Sequence, residues 1–346
     1  MAQVTPKELT EFLLHDLEEN KFIVFVWGPP GVGKSSIVMQ CAQRLNLSVY
    51  PLSVALEHPH ALGGFPAINW RERTVAKLPP SYMRHLDNCV LFLDDFAASD
   101  PSQQRIALSL TTYRRIGDAQ LPPTTRIVLA SNRVEDLSYI VRPSLAVMNR
   151  MKHYTLNPSL QDWVEYMRAS CDALSILPIL LDYAIAYLSL FPHHFCVFPS
   201  DMHGASVVYP TPRTWTMLLQ DLSSLARKGI ITIPATTPSA QRAVQITCEA
   251  FLGEISKDFS VFLCVNTNDD VFSDYDALRA KPPHEQARYA LAIVALRGVS
   301  ELPKIVDCIS PEAAAIMSFL VRATDAVTDE NKMLIALKSL NRRRKK

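Results

Sequence analysis

Eight residues, Gly28-Pro29-Pro30-Gly31-Val32-Gly33-Lys34-Ser35, carry the clearest chemistry in the chain. Glycines at 28, 31 and 33 let the backbone turn sharply and aim successive N–H groups at one point, an arrangement that suits an anion. Lys34 adds a point charge able to reach the outer phosphates of a polyphosphate, the Ser35 hydroxyl offers a hard oxygen to Mg2+, and Ser36 continues the segment. Glycine, four residues, then Gly-Lys-Ser is a phosphate-binding signature when a strand leads in and a helix leads out. Both are expected here. Phe22 to Trp27 is an apolar run of strand length, and Ser36 to Leu45 reads as a helix whose positive end faces the same anion.

Two further stretches bring acids and an amide to comparable positions. Cys89-Val90-Leu91-Phe92-Leu93-Asp94-Asp95 reads as a buried parallel strand with carboxylates at its C-terminal end, where such sheets bind ligands. Asp94 is suited to the Mg2+ shell, and Asp95 to orienting and deprotonating an attacking water. Thr125 to Asn132 is another apolar strand, whose terminal amide can bond a water or the last phosphate, although Asn132 taken singly is as easily a turn residue. Ser144 to Arg150 reads as a helical segment, and Arg150 alone would be a solvated charge.

The elements that must position these residues are also legible. Thr5 is a helix cap, with Pro6 in the first turn and Glu8 three residues after the cap; Leu9, Phe12, Leu13 and Leu17 follow on one face. That helix is expected beside the phosphate-loop strand. Leu47 to Val54 suggests a second strand, and the alternating run Trp70 to Val75 suggests a hairpin inserted before a helix that opens at Ser99 to Gln103 and runs through Leu110. Beyond Arg150 helices dominate: Asp162 to Tyr166, Ile179 to Leu190, Pro212 to Leu225, Gln241 to Phe251 and Ala287 to Arg297. Trp163, Tyr166, Tyr183, Tyr187 and Trp215 read as the core of a helical domain rather than as base-stacking platforms. His193 and His194 have no third ligand nearby and read as structural rather than metal-binding.

Composition narrows the class. The 346 residues suffice for two or three domains, and 35 basic against 34 acidic residues leave a formal charge of +1, which disfavours a dedicated duplex-DNA coat or a polybasic membrane protein. The basic run Asn341 to Lys346 reads as a solvated terminus. Seven scattered cysteines without a C-x-x-C pair, no leader pattern and no apolar stretch of spanning length point to a cytoplasmic protein that does not enter membranes.

From Phe22 to about Leu225 the chain resembles the AAA+ ATPases, and among them the MoxR-like, dynein-related branch with its phage and carboxylase-activating members. The resemblance implies an α/β fold: a parallel-sheet P-loop AAA+ core over residues 1–152 and an α-helical lid over 153–265, and the residues from Asn266 on read as a mostly helical C-terminal extension over 266–346. It implies ATP and Mg2+ as cofactors, with Gly28 to Ser35 as Walker A, Leu91 to Asp95 as Walker B and Asn132 as sensor 1. Arg150, in Met148-Asn149-Arg150-Met151, matches the arginine finger sent into a neighbouring subunit, and Arg213, in Tyr209-Pro210-Thr211-Pro212-Arg213, resembles the sensor-2 arginine. The Gly63 to Val75 hairpin resembles the helix-2 insert. The branch further implies a homo-oligomeric ring, a hexamer in expectation, with shared ATP sites, acting on a protein client and in some cases beside a von Willebrand-type partner. The family usually has glutamate where Asp95 stands, so slower hydrolysis is expected rather than none. Other readings are a DNA-directed ATPase on the same core, disfavoured by the neutral charge; a phosphate-loop kinase, which leaves Arg150 and Arg213 unexplained; and an ATP-binding switch that hydrolyses slowly.

Overall fold

The computed structural model describes residues 2–71, 73–136, 140–198, 208–264 and 275–281, with isolated positions between 283 and 313. They fall into two compact units, residues 1–162 and 163–346. The expected helix at Ala287 to Arg297 lies largely outside the described residues, as does most of the polar stretch Asn266 to Asp276; the run Asn341 to Lys346 lies wholly outside them.

The first unit contains, in order, β1 (Ala2–Val4), α1 (Pro6–Glu19), β2 (Ile23–Trp27), α2 (Lys34–Arg44), β3 (Ser48–Ser53), α3 (Pro59–Gly63), β4 (Phe65–Asn69), β5 (Thr74–Leu78), β6 (Cys89–Asp94), α4 (Pro101–Tyr113), β7 (Arg115–Ile116), β8 (Ala119–Gln120), β9 (Arg126–Ser131), α5 (Leu145–Met148) and β10 (Met151–Leu156). Six strands form one parallel sheet in the order β1-β10-β2-β9-β6-β3. Both faces are covered, which is why the central strands are continuous apolar runs. Ile23, Phe25, Trp27, Leu91, Leu93, Ile127 and Leu129 share one core cluster, while the intervening Val24, Val26, Val90, Phe92, Val128 and Ala130 are buried as well.

α1 begins as its capping residues dictate. The Thr5 hydroxyl accepts from the Glu8 N–H at 3.3 Å, and the Thr5 N–H donates to the Glu8 carboxylate at 2.8 Å. Leu9, Leu13 and Leu17 are buried, whereas Phe12, expected on the same face, is 47% exposed and stacks against the Tyr154 ring. The buried Asp16 carboxylate on α1 accepts from Lys152 Nζ at 2.7 Å and from the Tyr154 hydroxyl at 2.8 Å, tying this helix to β10. A carboxylate removed from water needs such partners.

The inserted hairpin is present, but its strands are β4 and β5, and Trp70, Arg71 and Arg73 lie in the turn between them. The cause is local: Asn69 Oδ1 accepts the Arg71 N–H at 3.1 Å, and Arg73 takes a left-handed φ of 51°, so the backbone reverses where alternation alone suggests extension. β10 was not foreseen either. Met151-Lys152-His153-Tyr154-Thr155-Leu156 lacks an apolar run, and Lys152, His153 and Tyr154 belong in the sheet because each finds a specific partner.

The second unit follows on from α6 (Leu160–Ser170), whose last residues it contains, with α7 (Pro178–Leu190), α8 (Pro212–Arg227), α9 (Pro238–Leu252) and α10 (Ser256–Phe262). Its core is aromatic. Trp215, Tyr183, Tyr187 and Phe259 are fully buried, with Trp215 and Phe259 edge to face at 4.9 Å. Trp163 joins the buried set, but Tyr166 is 39% exposed and is not a core residue.

His194 is built into this core. Its Nδ1 shares a 2.7 Å hydrogen bond with the Tyr187 hydroxyl, its ring stacks on Phe191, and its carbonyl accepts from Trp215 Nε1 at 3.1 Å. Burial, and then the neighbouring His193, push its pKa down from 6.5 to about 4. Between those pH values the unfolded chain binds more protons than the folded one, so stability rises with pH across this window and falls on acidification. His194→Phe should therefore flatten the dependence of melting temperature on pH between about 4 and 6.5. An unchanged slope would show that His194 does not carry it.

Candidate phosphate-binding site

Lys34, Ser35, Asp94, Asp95 and Asn132, all predicted site residues of the first unit, converge at the C-terminal ends of β2, β6 and β9. β2 pairs with β9 as Trp27 beside Ser131, and the Gly28 N–H donates to the Ser131 carbonyl at 3.2 Å, so the loop leaves the sheet next to Asn132. Gly28 is required because a Cβ there would stand 2.8 Å from the Leu156 carbonyl oxygen. Gly33 is required for another reason. Its φ of 101° is open only to glycine, and the space around a Cβ there is empty to 4 Å. Gly33 is also the N-cap of α2 and offers no side-chain cap, so the eleven-residue helix starts with backbone N–H groups that an anion can satisfy.

Lys34 is 7% exposed, and its ammonium donates to the Gly28 carbonyl at 2.7 Å, the Pro29 carbonyl at 2.9 Å and Asn132 Oδ1 at 2.8 Å. The Ser35 hydroxyl donates to Asp94 Oδ2 at 2.7 Å, and the other Asp94 oxygen accepts the Asp95 N–H at 3.0 Å. A hydroxyl and a carboxylate side by side beneath a helix N-terminus suit Mg2+, which binds through few protein oxygens and shares the rest of its shell with phosphate and water. Among the described residues no cluster of three or more His, Cys, Asp or Glu could cage a metal without such help.

Asp95 is exposed and takes a left-handed φ of 51°, which turns the chain out of β6. The turn after it is held from three sides. Ser131 Oγ accepts the Ala97 N–H at 3.2 Å, the Val141 N–H donates to the Ala97 carbonyl at 2.7 Å, and Gln104 Nε2 bridges the Ser99 and Val141 carbonyls at 3.1 and 2.7 Å. Gln104 and Val141 carry no motif and touch this turn only through tertiary contact, so no sequence signal marks them. Pro30, Gly31 and Val32 complete the loop, and Ser36 lies exposed in the first turn of α2.

Of the remaining two predicted residues, one belongs to the first unit and the other to the second. Arg150 is exposed two residues beyond α5 and turns its guanidinium back to the Ala146 carbonyl. Arg213 is exposed in the first turn of α8, in the second unit. Among the described residues no helix is long and apolar enough to cross a membrane.

Gly28→Ala should destabilise the first unit by about 1–3 kcal/mol, because the new methyl group meets backbone rather than a mobile side chain. Urea unfolding followed by tryptophan fluorescence measures this, and wild-type stability would contradict the packing described here.

No curated protein matches the sequence. Among solved structures, the chain is similar to a candidate ATPase from Cytophaga hutchinsonii, at 16% identity over 64% of this chain and 74% of that one, with a TM-score of 0.37. It is also similar to NtrX from Brucella abortus in complex with ADP, at 13% identity over 91% and 68% of the two chains and a TM-score of 0.42. A second NtrX structure gives 15% identity, coverage of 91% and 67%, and a TM-score of 0.45. Residues 24–154 match the profile of the ATPase family associated with various cellular activities (AAA), a span that holds the whole cluster of Lys34, Ser35, Asp94, Asp95 and Asn132. By that match, the stretch from Val24 to Tyr154 is similar to an AAA-type ATPase domain.

Proposed function

We propose that the protein is an ATP-hydrolysing, MoxR-like AAA+ ring that couples turnover between subunits to the remodelling or assembly of a protein client. The observation that carries this reading is the joining of Lys34 to Asn132 and of Ser35 to Asp94 at the ends of three neighbouring parallel strands. Bound Mg2+–ATP supplies a terminal phosphoryl group open to attack by water. The chain's own residues do the rest by position and charge. The loop N–H groups and Lys34 hold phosphate oxygens, while Ser35 and Asp94 hold the metal. Asp95 orients the water and takes its proton, and Asn132 fixes the water from the tip of β9. Arg150 of a neighbouring subunit neutralises charge developing on the phosphoryl group, and Arg213 serves the nucleotide from the lid.

A protein client fits the inserted hairpin better than nucleic acid does. Phe65, Ile68, Trp70 and Val75 are 63, 57, 81 and 67% exposed, an apolar surface of the kind that marks interaction sites. The nearly neutral chain carries no dominant positive field that would argue for DNA.

Two variants and their mixture test the reading. Lys34→Ala should lose nucleotide binding. Arg150→Ala should bind ATP normally yet lose turnover by a factor of roughly 10³–10⁵. Mixed oligomers of these two inactive proteins should recover partial phosphate release, because each Lys34→Ala subunit still lends Arg150 to a neighbour with an intact loop. Mixed oligomers that form without recovering activity would exclude a finger acting across an interface.

Asp95→Asn should keep ATP affinity and stop turnover, measured by nucleotide binding beside phosphate release. Asp95→Glu discriminates further. A rise in turnover means that the shorter acid limits the rate, and a fall means that the site has adapted to aspartate.

A further inference from the structure

The imidazole of His153 joins two parts of the first unit that the proposed reaction must use together. His153 lies on β10, half-buried, with Phe25 of β2 as its register partner. Trp27 Nε1, one residue before Gly28, donates to His153 Nδ1 at 3.1 Å. An indole nitrogen can only donate, so Nδ1 is the acceptor and the neutral ring carries its proton on Nε2. Nε2 then donates to the Met148 carbonyl at 2.7 Å. Met148 ends α5, and its carbonyl is among those that a helix C-terminus leaves without an intrahelical partner. Two residues further on stands Arg150, whose guanidinium turns back onto the Ala146 carbonyl of the same short helix.

α5 has four residues, too few to hold its own conformation in water. Its start is capped by the Ser144 hydroxyl, which accepts the Val147 N–H at 3.4 Å. Its end is held to the sheet by His153. We propose that His153 is a positioning residue: by bonding Trp27 on one side and Met148 on the other, it fixes the bearing of Arg150 to the strand that carries the phosphate loop of the same subunit. This inference rests on the reading of Arg150 as a finger in a neighbour's site. It adds that the state of one subunit's phosphate loop is passed, through a single ring, to the arginine which that subunit lends.

The prediction is directional. His153 serves the subunit that donates the arginine and not the subunit that hydrolyses. The experiment uses full-length chains and the mixed oligomers of Lys34→Ala with Arg150→Ala. His153→Phe keeps a ring against Phe25 and Trp27 but loses both hydrogen bonds. Added to the Lys34→Ala subunit, which donates the arginine, it should lower the recovered turnover by about tenfold or more, the scale of a misplaced catalytic group. Added to the Arg150→Ala subunit, which hydrolyses, it should change recovered turnover by less than about twofold, and ATP affinity should not move. His153→Gln on the donor should restore most of the loss, because its amide can donate to Met148 and accept from Trp27. Should the Phe variant fail to fold, His153→Asn, whose shorter amide cannot span both partners, takes its place. Equal losses on the two sides would mean a merely structural ring and overturn the proposal, as would an unaffected donor. Failure of the parent mixture to recover any activity would instead overturn the reading of Arg150, and this inference with it.

Discussion

Burying the Lys34 ammonium is the constraint on which the site is built. A cation at 7% exposure is tolerated only where acceptors replace its water. The Gly28 and Pro29 carbonyls supply two, and these exist in the right place because the chain folds back on itself immediately after β2. The third, Asn132, comes from the end of the adjacent strand. One ammonium thereby makes the loop conformation and the register of β2 against β9 mutually dependent: a slip of one residue in that pairing would carry Asn132 to the other face.

The rest of the first unit holds three strand ends level with each other. β6 delivers Asp94 opposite Ser35, and the turn after Asp95 is clamped by Ser131, Val141 and Gln104, which lie on different parts of the chain. These bonds are buried or half-buried, so leaving any donor or acceptor unpaired costs about 1–3 kcal/mol. The dense pairing explains how Asp95 is kept in a left-handed conformation that a side chain normally avoids.

Much of this was legible in the sequence because the information is local. The glycine spacing of residues 28–33, the apolar runs of β2, β6 and β9 and the Thr5–Glu8 capping pair each specify their structure within a few residues. β10 was not legible, since Lys152, His153 and Tyr154 look solvent-facing until Asp16, Trp27 and the Met148 carbonyl, brought near by the fold, supply their partners. The presence of the hairpin is legible and its turn is not, because Asn69 and Arg73 decide the reversal through backbone geometry that alternation of side chains does not encode. Gln104 is silent for the same reason as β10.

The poorly legible strand is also the one whose chemistry is least generic. A central strand such as β6 needs only apolar bulk on both faces, and many sequences supply it. β10 instead places a lysine, a histidine and a tyrosine in succession, and each side chain is assigned a separate neighbour: Lys152 and Tyr154 reach α1 through Asp16, and His153 reaches β2 and α5. Polar contacts of this kind add little net stability, but they tolerate few alternative arrangements, because each wrong pairing strands a donor or acceptor away from water. β10 therefore acts less as packing than as a jig. Its side chains tie the first helix, through Asp16, and the short helix that precedes Arg150, through the Met148 carbonyl, to the strand beside the phosphate-loop strand.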